Sequence, residues 1–339
     1  MTGAERIVAA LRREQPDCIP TFEWFIDESV GQALTGTSDA IEIVEVLDLD
    51  GINIRADYQR QFTSDTVFRD ERGAVGQLTG DCIASIRESP IRDIARHRDY
   101  RFPDPRAGHR FATVERGLDR FGDRRAIVLN LRDGWSDMRD LLGYEQCLVN
   151  LMLERELFVE LLGRVVEYNL ALAEVARERY GLNIVATTDD VANADGPLVS
   201  PAVYGDILAP ALERVIRGYK ELGFFCIKHC DGDVTPLIDG WIDAGIDCID
   251  PVDPGAGLEL GDFKQRYGDR ICLKGNVDCT GNLCHGSAAD VEQEVIRCVQ
   301  QGGPGGYILS SSNTIHRGVK PENYRAMLNA LREHGGRGG

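Results

Sequence analysis

No stretch of the chain approaches the roughly 18 consecutive apolar residues of a membrane-spanning helix, so no span is expected. Basic residues are scarce. Lys and Arg total 38 against 55 Asp and Glu, a formal net charge of −17. Phosphate backbones are held by a basic footprint, so nucleic acid is excluded as a partner. A polyanionic ligand would need a local arginine cluster to override the overall field. The ten cysteines occur singly, with no CxxC pair. Most have apolar neighbours and read as core filling, reduced in a cytosol. No glycine-rich phosphate loop follows the first strand, which disfavours a doubly wound open sheet. Glycines 302, 303, 305 and 306 precede a strand instead of opening a helix, so they read as a turn. The opening Met1-Thr2-Gly3-Ala4-Glu5-Arg6 has no signal-peptide apolar core, and a cytoplasmic protein is expected.

What is present is a regular alternation. Hydrophobic residues make up 43% of the 339, ample for a large core. Short apolar strands are expected at 19–24, 51–58, 126–130, 183–190, 224–229, 248–252, 271–276 and 306–310, nearly all followed by helical patterns. These strands lack a polar alternate, as parallel strands buried on both faces do. Eight such units predict an α/β fold, a distorted (β/α)8 TIM barrel. Turn signals at Arg69-Asp70-Glu71-Arg72-Gly73 and Thr79-Gly80-Asp81 predict a β-rich insertion over about 63–108. The expected layout is one barrel domain over 1–334, with a disordered tail at 335–339.

Barrel sites form at the C-terminal strand ends. Here those ends carry Glu23 with Trp24, Arg55, Asp57 and Tyr58, Asn130 and Arg132, Asp189 and Asp190, Asp250, Asn276, and Asn313. The richest end is Phe224-Phe225-Cys226-Ile227-Lys228-His229-Cys230-Asp231-Gly232-Asp233. Residues two apart on a strand share a face, so His229 and Asp231 point one way and Cys230 the other. So many acids around one His call for a cation, a shared proton or a cationic ligand. Three readings stand side by side. One is a metal, zinc first, on His229 with Asp231 or Cys230 and a ligand from another strand. Another is metal-free acid–base work by Asp57 or the Asp189-Asp190 pair. The last is helix capping by strand-end Asp and Asn. Trp135 and Trp241 read as packing, and His97, His109 and His334 as residues among surface charges.

Several of these segments together carry a resemblance. They are Pro16-Asp17-Cys18-Ile19-Pro20, Asp189-Asp190 leading to Gly196-Pro197-Leu198-Val199-Ser200-Pro201, and His229-Cys230-Asp231-Gly232-Asp233. They continue with Leu273-Lys274-Gly275-Asn276-Val277-Asp278, Gly305-Gly306-Tyr307-Ile308-Leu309-Ser310 and Pro321-Glu322-Asn323. The chain resembles the uroporphyrinogen decarboxylase superfamily, which includes methyltransferases acting with corrinoid proteins and coenzyme M. The resemblance implies a distorted (β/α)8 barrel.

The departures narrow the chemistry that the resemblance implies. Decarboxylases of the family carry arginines after the first strand, where this chain has the acidic Glu23-Trp24-Phe25-Ile26-Asp27-Glu28. Asp57 matches their aspartate, while Asn313 stands in place of their histidine. Zinc methyltransferases resemble His-x-Cys plus a distant Cys; here the pattern is His229-x-Asp231, with Asn313 at the distant position. So narrowed, the resemblance implies a corrinoid-dependent methyltransferase using a small, possibly methoxylated donor, a thiolate-poor zinc site and a partner protein carrying the corrinoid. The site set is then His229, Asp231 and Cys230 for the metal, Asp57, Asp189, Asp190 and Asn313 for catalysis, and Glu23, Trp24, Arg55, Tyr58 and Asn276 for substrate. A carboxy-lyase working through Asp57 and a non-catalytic ligand-binding barrel are the alternatives. Members of the family are often dimers, so a homodimer is an expectation.

Overall fold

A computed structural model describes residues 1–79 and 84–336. Gly80 and Asp81 of the second expected turn, Cys82, and residues 337–339 of the expected tail lie outside the described residues. Seven parallel strands form one sheet: β1 (Gly51–Arg55), β2 (Ala126–Leu131), β3 (Ile184–Thr188), β4 (Phe225–His229), β5 (Cys248–Val252), β6 (Cys272–Val277) and β7 (Tyr307–Ser311). Their order in space is their order in sequence. Every residue of β2 and of β6 is buried, as strands covered on both faces must be. Alternate residues divide the core in two. Val128, Ala186, Ile227, Cys248, Cys272 and Ile308 fill the barrel interior, where Ile7, Ala10 and Leu11 of the first helix join them. Ile127, Leu129, Val185, Cys226, Ile249 and Leu273 face the surrounding helices.

The eighth stave departs from expectation. Residues 19–24 run between β7 and β1 but make only a single parallel bridge, Thr21 to Leu309. Pro20 has no N–H to give a ladder, so its carbonyl accepts from Leu309 N at 3.0 Å. On the β1 side Thr21 N donates to the Asp50 carboxylate at 2.8 Å, and Asp50 N to Thr21 O at 2.8 Å. Asn53 Nδ2 then donates to Trp24 O at 3.0 Å. Isolated backbone bonds and side-chain bonds therefore close the barrel together where no regular ladder forms.

The insertion is a four-stranded antiparallel sheet, Arg60–Phe62, Val67–Asp70, Val75–Gln77 and Ser85–Glu88, beginning three residues earlier than the turn signals suggest. The helical pattern that follows β2 is three helices, Trp135–Leu142, Tyr144–Leu153 and Arg155–Tyr180. The tail also differs: Gly335 and Gly336 are ordered against the N-terminal segment, with Ile19 N donating to Gly335 O at 2.8 Å and Gly336 bridging Cys18. No helix among the described residues is long and apolar enough to cross a membrane.

Candidate metal centre

Strand β4 delivers Lys228 and His229 to opposite faces. Lys228 points outward and is fully buried, with Nζ 3.0 Å from Asp133 Oδ2 and 3.0 Å from the Asp189 carbonyl. It also sits over the Trp241 ring at 4.9 Å, so Trp241, like the buried Trp135, is a packing residue. His229 points into the barrel mouth. In register it pairs with Asp250 of β5, and its Nδ1 lies 3.1 Å from Asp250 Oδ2. The other Asp250 oxygen accepts from Lys274 Nζ of β6 at 2.8 Å. Three adjacent strands thus present a His–Asp–Lys chain. With Nδ1–H donated to Asp250, the lone pair of Nε2 faces the mouth. Trp24 covers one face of the imidazole, its ring stacked at 4.0 Å and 9°.

Asp231 stands at the same mouth. Just past it the chain turns at Gly232 (φ 93°), where a Cβ would sit 2.4 Å from the Asn193 carbonyl oxygen. His229 Nε2 is 3.6 Å from Asp231 Oδ1, and Asn313 Nδ2 donates to Asp231 Oδ2 at 2.6 Å. Asp190, just beyond β3, completes the group: one donor atom each from Asp190, His229 and Asp231 lie within 4.8 Å of one another. The Oδ1 atoms of Asp190 and Asp231 are buried without a hydrogen-bond partner among the described residues.

Charge explains the strain of that arrangement. Burial raises the Asp231 carboxyl and His229 opposes it; with Asp190, Asp253 and Asp250 adding repulsion, it is pushed up to about 6. Burial alone would raise Asp250 too, but Lys274 and His229 hold it below the usual carboxylate range. Burial would lower the His229 imidazole, yet Asp250 and Asp231 outweigh it and raise it. Two orphaned carboxylate oxygens beside an oriented imidazole nitrogen fit a divalent cation with one nitrogen and two oxygen ligands, a donor set that zinc accepts.

The other candidates scatter. Cys230 faces the core instead of this group: its Sγ is buried, accepts from Val191 N at 3.3 Å, and burial pushes the thiol up to about 12. Asp189 separates from Asp190, because both of its oxygens cap the helix Trp135–Leu142 through the N–H groups of Trp135 and Ser136. Asp57 accepts from Thr113 N at 2.9 Å and Thr113 Oγ1 at 2.7 Å, holding the start of helix Ala112–Phe121. The Glu23 carboxylate accepts from Ser311 N and Oγ at the barrel seam. Asn276 is spent on the carbonyls of Val252 and Leu258 and on Arg297. Arg55, over the Phe25 ring, and Tyr58, bonded to Tyr168, line a cleft of about 1070 Å³ beside the cluster. The cleft shares two residues with the cluster's surroundings: Asn53, which holds Trp24, and Asn130, whose Nδ2 donates to Thr188, the β3 partner of His229.

Sequence reasoning had no role for Lys274 and did not connect Asp250 to His229. The signal was a lysine in the middle of a buried strand, which burial permits only with a partner.

The family model described as Uroporphyrinogen decarboxylase (URO-D) matches residues 79–334. The chain belongs to the uroporphyrinogen decarboxylase family. Among curated relatives, the uroporphyrinogen decarboxylase of Alkalilimnicola ehrlichii is 24% identical over 277 residues, 73% of this chain and 68% of that one. That of Thioalkalivibrio sulfidiphilus is 23% identical over 268 residues, 73% of this chain and 71% of that one. Among solved structures, a methyltransferase from Methanosarcina mazei superposes with a TM-score of 0.80 at 19% identity, over 98% of this chain and 99% of that one. An endo-1,4-beta-mannanase from Rhizomucor miehei reaches 0.50 at 8% identity. The barrel is thus the family's, with β7 and β1 joined through residues 19–24.

Proposed function

We propose that this member of the family is a metal-assisted methyltransferase, taking a methyl group from a small methoxylated donor and passing it to a corrinoid on a partner protein. The observation that carries this reading is the convergence of His229, Asp231 and Asp190, with His229 held by Asp250 and Lys274. A zinc ion held by those three residues would supply Lewis acidity toward an ether oxygen. The chain's own residues set the site: Asp250 fixes the imidazole tautomer, Asn313 orients Asp231, and Trp24 shields one imidazole face from water. In the transfer the methyl–oxygen bond breaks with its electron pair left on oxygen. A reduced corrinoid on the partner would supply the electron pair for the new bond to the methyl carbon, and the oxygen left behind would take a proton. An oxygen-rich donor set suits an oxygen leaving group better than a thiol.

The lyase alternative through Asp57 draws less support, since both Asp57 oxygens already accept from Thr113. The test is methyl transfer to free reduced cobalamin from a panel of methoxylated compounds, with zinc content measured on the same preparations. The reading expects near-stoichiometric zinc and donor-dependent methylcobalamin, both lost in His229→Ala. Zinc absent from the wild type, or unchanged in His229→Ala, would overturn the metal-assisted reading. Carbon dioxide release that depends on Asp57 would replace it with the lyase.

A further inference from the structure

The cleft beside the metal centre differs in charge from the rest of the molecule. Six arginines and four aspartates line it, with no lysine or glutamate, in a chain of net charge −17. The four carboxylates are already engaged. Asp57 is held by Thr113. Asp70 accepts from Arg72 Nε at 3.1 Å and from Ala74 N at 3.0 Å. Asp137 and Asp140 accept from Arg132 at 3.1 and 2.6 Å, with Arg72 3.6 Å from each. Asn169 Nδ2 takes the second Asp137 oxygen at 2.8 Å. This lattice fixes Arg72 and Arg132 as wall.

Other arginines remain uncommitted. Arg87 stands on the insertion strand Ser85–Glu88, and Arg139 on the helix after β2. Among the described residues, neither side chain has a hydrogen-bond or ion-pair partner. Arg60, also from the insertion, rests on the Phe68 ring at 4.5 Å. Two separate parts of the fold therefore bring guanidinium groups to one cavity, whose remaining walls include Phe25, Tyr58, Phe68 and Tyr144. A volume of about 1070 Å³ suits a small molecule. Guanidinium forks match the planar or tetrahedral oxygens of carboxylate and phosphate, and aromatic walls match an apolar body.

We infer that this cleft is an oxyanion-recognition site for a small molecule with an aromatic body and a carboxylate or phosphate, gripped by Arg87 and Arg139. Identifying that ligand with the methyl donor rests on the function proposed above; the anion site itself does not.

Isothermal titration of the full chain with 3-methoxybenzoate, 3-methoxyphenyl phosphate and uncharged 3-methoxybenzyl alcohol tests it. The anions are expected to bind at least tenfold more tightly than the alcohol, and less tightly as salt rises. The tighter of the two identifies the carboxylate or the phosphate as the natural group. Arg87→Ala and Arg139→Ala should each weaken the anions about tenfold and leave the alcohol unchanged. His229→Ala should bind the anions as the wild type does, which separates failure of this site from failure of the metal reading. Should Arg139→Ala fail to fold, Arg87→Ala on its exposed strand carries the test. Equal binding of alcohol and anion, no binding by any probe, or arginine variants indistinguishable from wild type would each overturn the inference.

Discussion

Asn313 Nδ2 donates to Asp231 Oδ2 across 2.6 Å, tying the loop after β7 to the carboxylate beside His229. Asn313 Oδ1 in turn accepts from Thr314 N at 2.6 Å, which sets the amide orientation. An uncharged donor here leaves Asp231 Oδ1 directed at His229 Nε2. Removing it in Asn313→Ala frees the carboxylate to rotate. Zinc affinity, measured by competition with a chromogenic chelator, is expected to fall about tenfold, the lower end of losses for outer ligands of metal sites. Retained affinity would mean that backbone position alone orients Asp231.

Asp250 is the stronger outer partner, because it meets both His229 and Lys274 in a fully buried setting. Asp250→Asn is expected to lower zinc affinity about 10–100-fold by loosening the imidazole and its tautomer. Lys274→Met leaves the Asp250 carboxylate buried without its cation, a loss of about 3–5 kcal/mol in chemical denaturation. The two variants thus separate: the first acts mainly on metal affinity, the second mainly on stability.

Cys230 provides the opposite control. Its Sγ lies in the core against Val191 N, and burial keeps it a thiol. Cys230→Ala should keep its full zinc content while losing about 1 kcal/mol of stability, the typical scale for a buried truncation. Zinc loss at unchanged stability would restore Cys230 as a ligand.

These residues also show what the sequence could and could not disclose. The barrel was legible, since seven of eight strands follow from apolar runs with no polar alternate. The eighth failed because Pro20 and the Asp50 side chain replace ladder bonds, and no periodicity records that. His229 and Asp231 were legible from their two-residue spacing, which a strand converts into a shared face. Asp190 joining them while Asp189 caps a helix was not, because adjacent acids look alike until the chain beyond β3 turns. Lys274 and the arginine-lined cleft were hidden for the same reason: their partners lie one strand or one insertion away. His97, expected among surface charges, is fully buried.

That last residue gives a pH prediction independent of the proposed metal centre. Neither ring nitrogen of His97 has a hydrogen-bond partner among the described residues, and the nearest carboxylate, Glu160, stands 3.7 Å from Nε2. Burial lowers the imidazole below its ordinary value, and Arg164 and Arg98 add to that against Glu160. The unfolded chain, with its histidine near 6.5, therefore takes up the proton first as pH falls. Stability from the neutral ring is fully present above about 6.5 and is lost as pH drops toward the folded value, by at most about 1.4 kcal/mol per pH unit for one proton. His97→Leu removes that proton. Urea denaturation at pH 7.5, 6.5 and 5.5 should show the wild type losing stability relative to His97→Leu over the lower interval. Parallel curves for the two proteins would mean that the buried ring is protonated as readily folded as unfolded, and that Glu160 outweighs the burial.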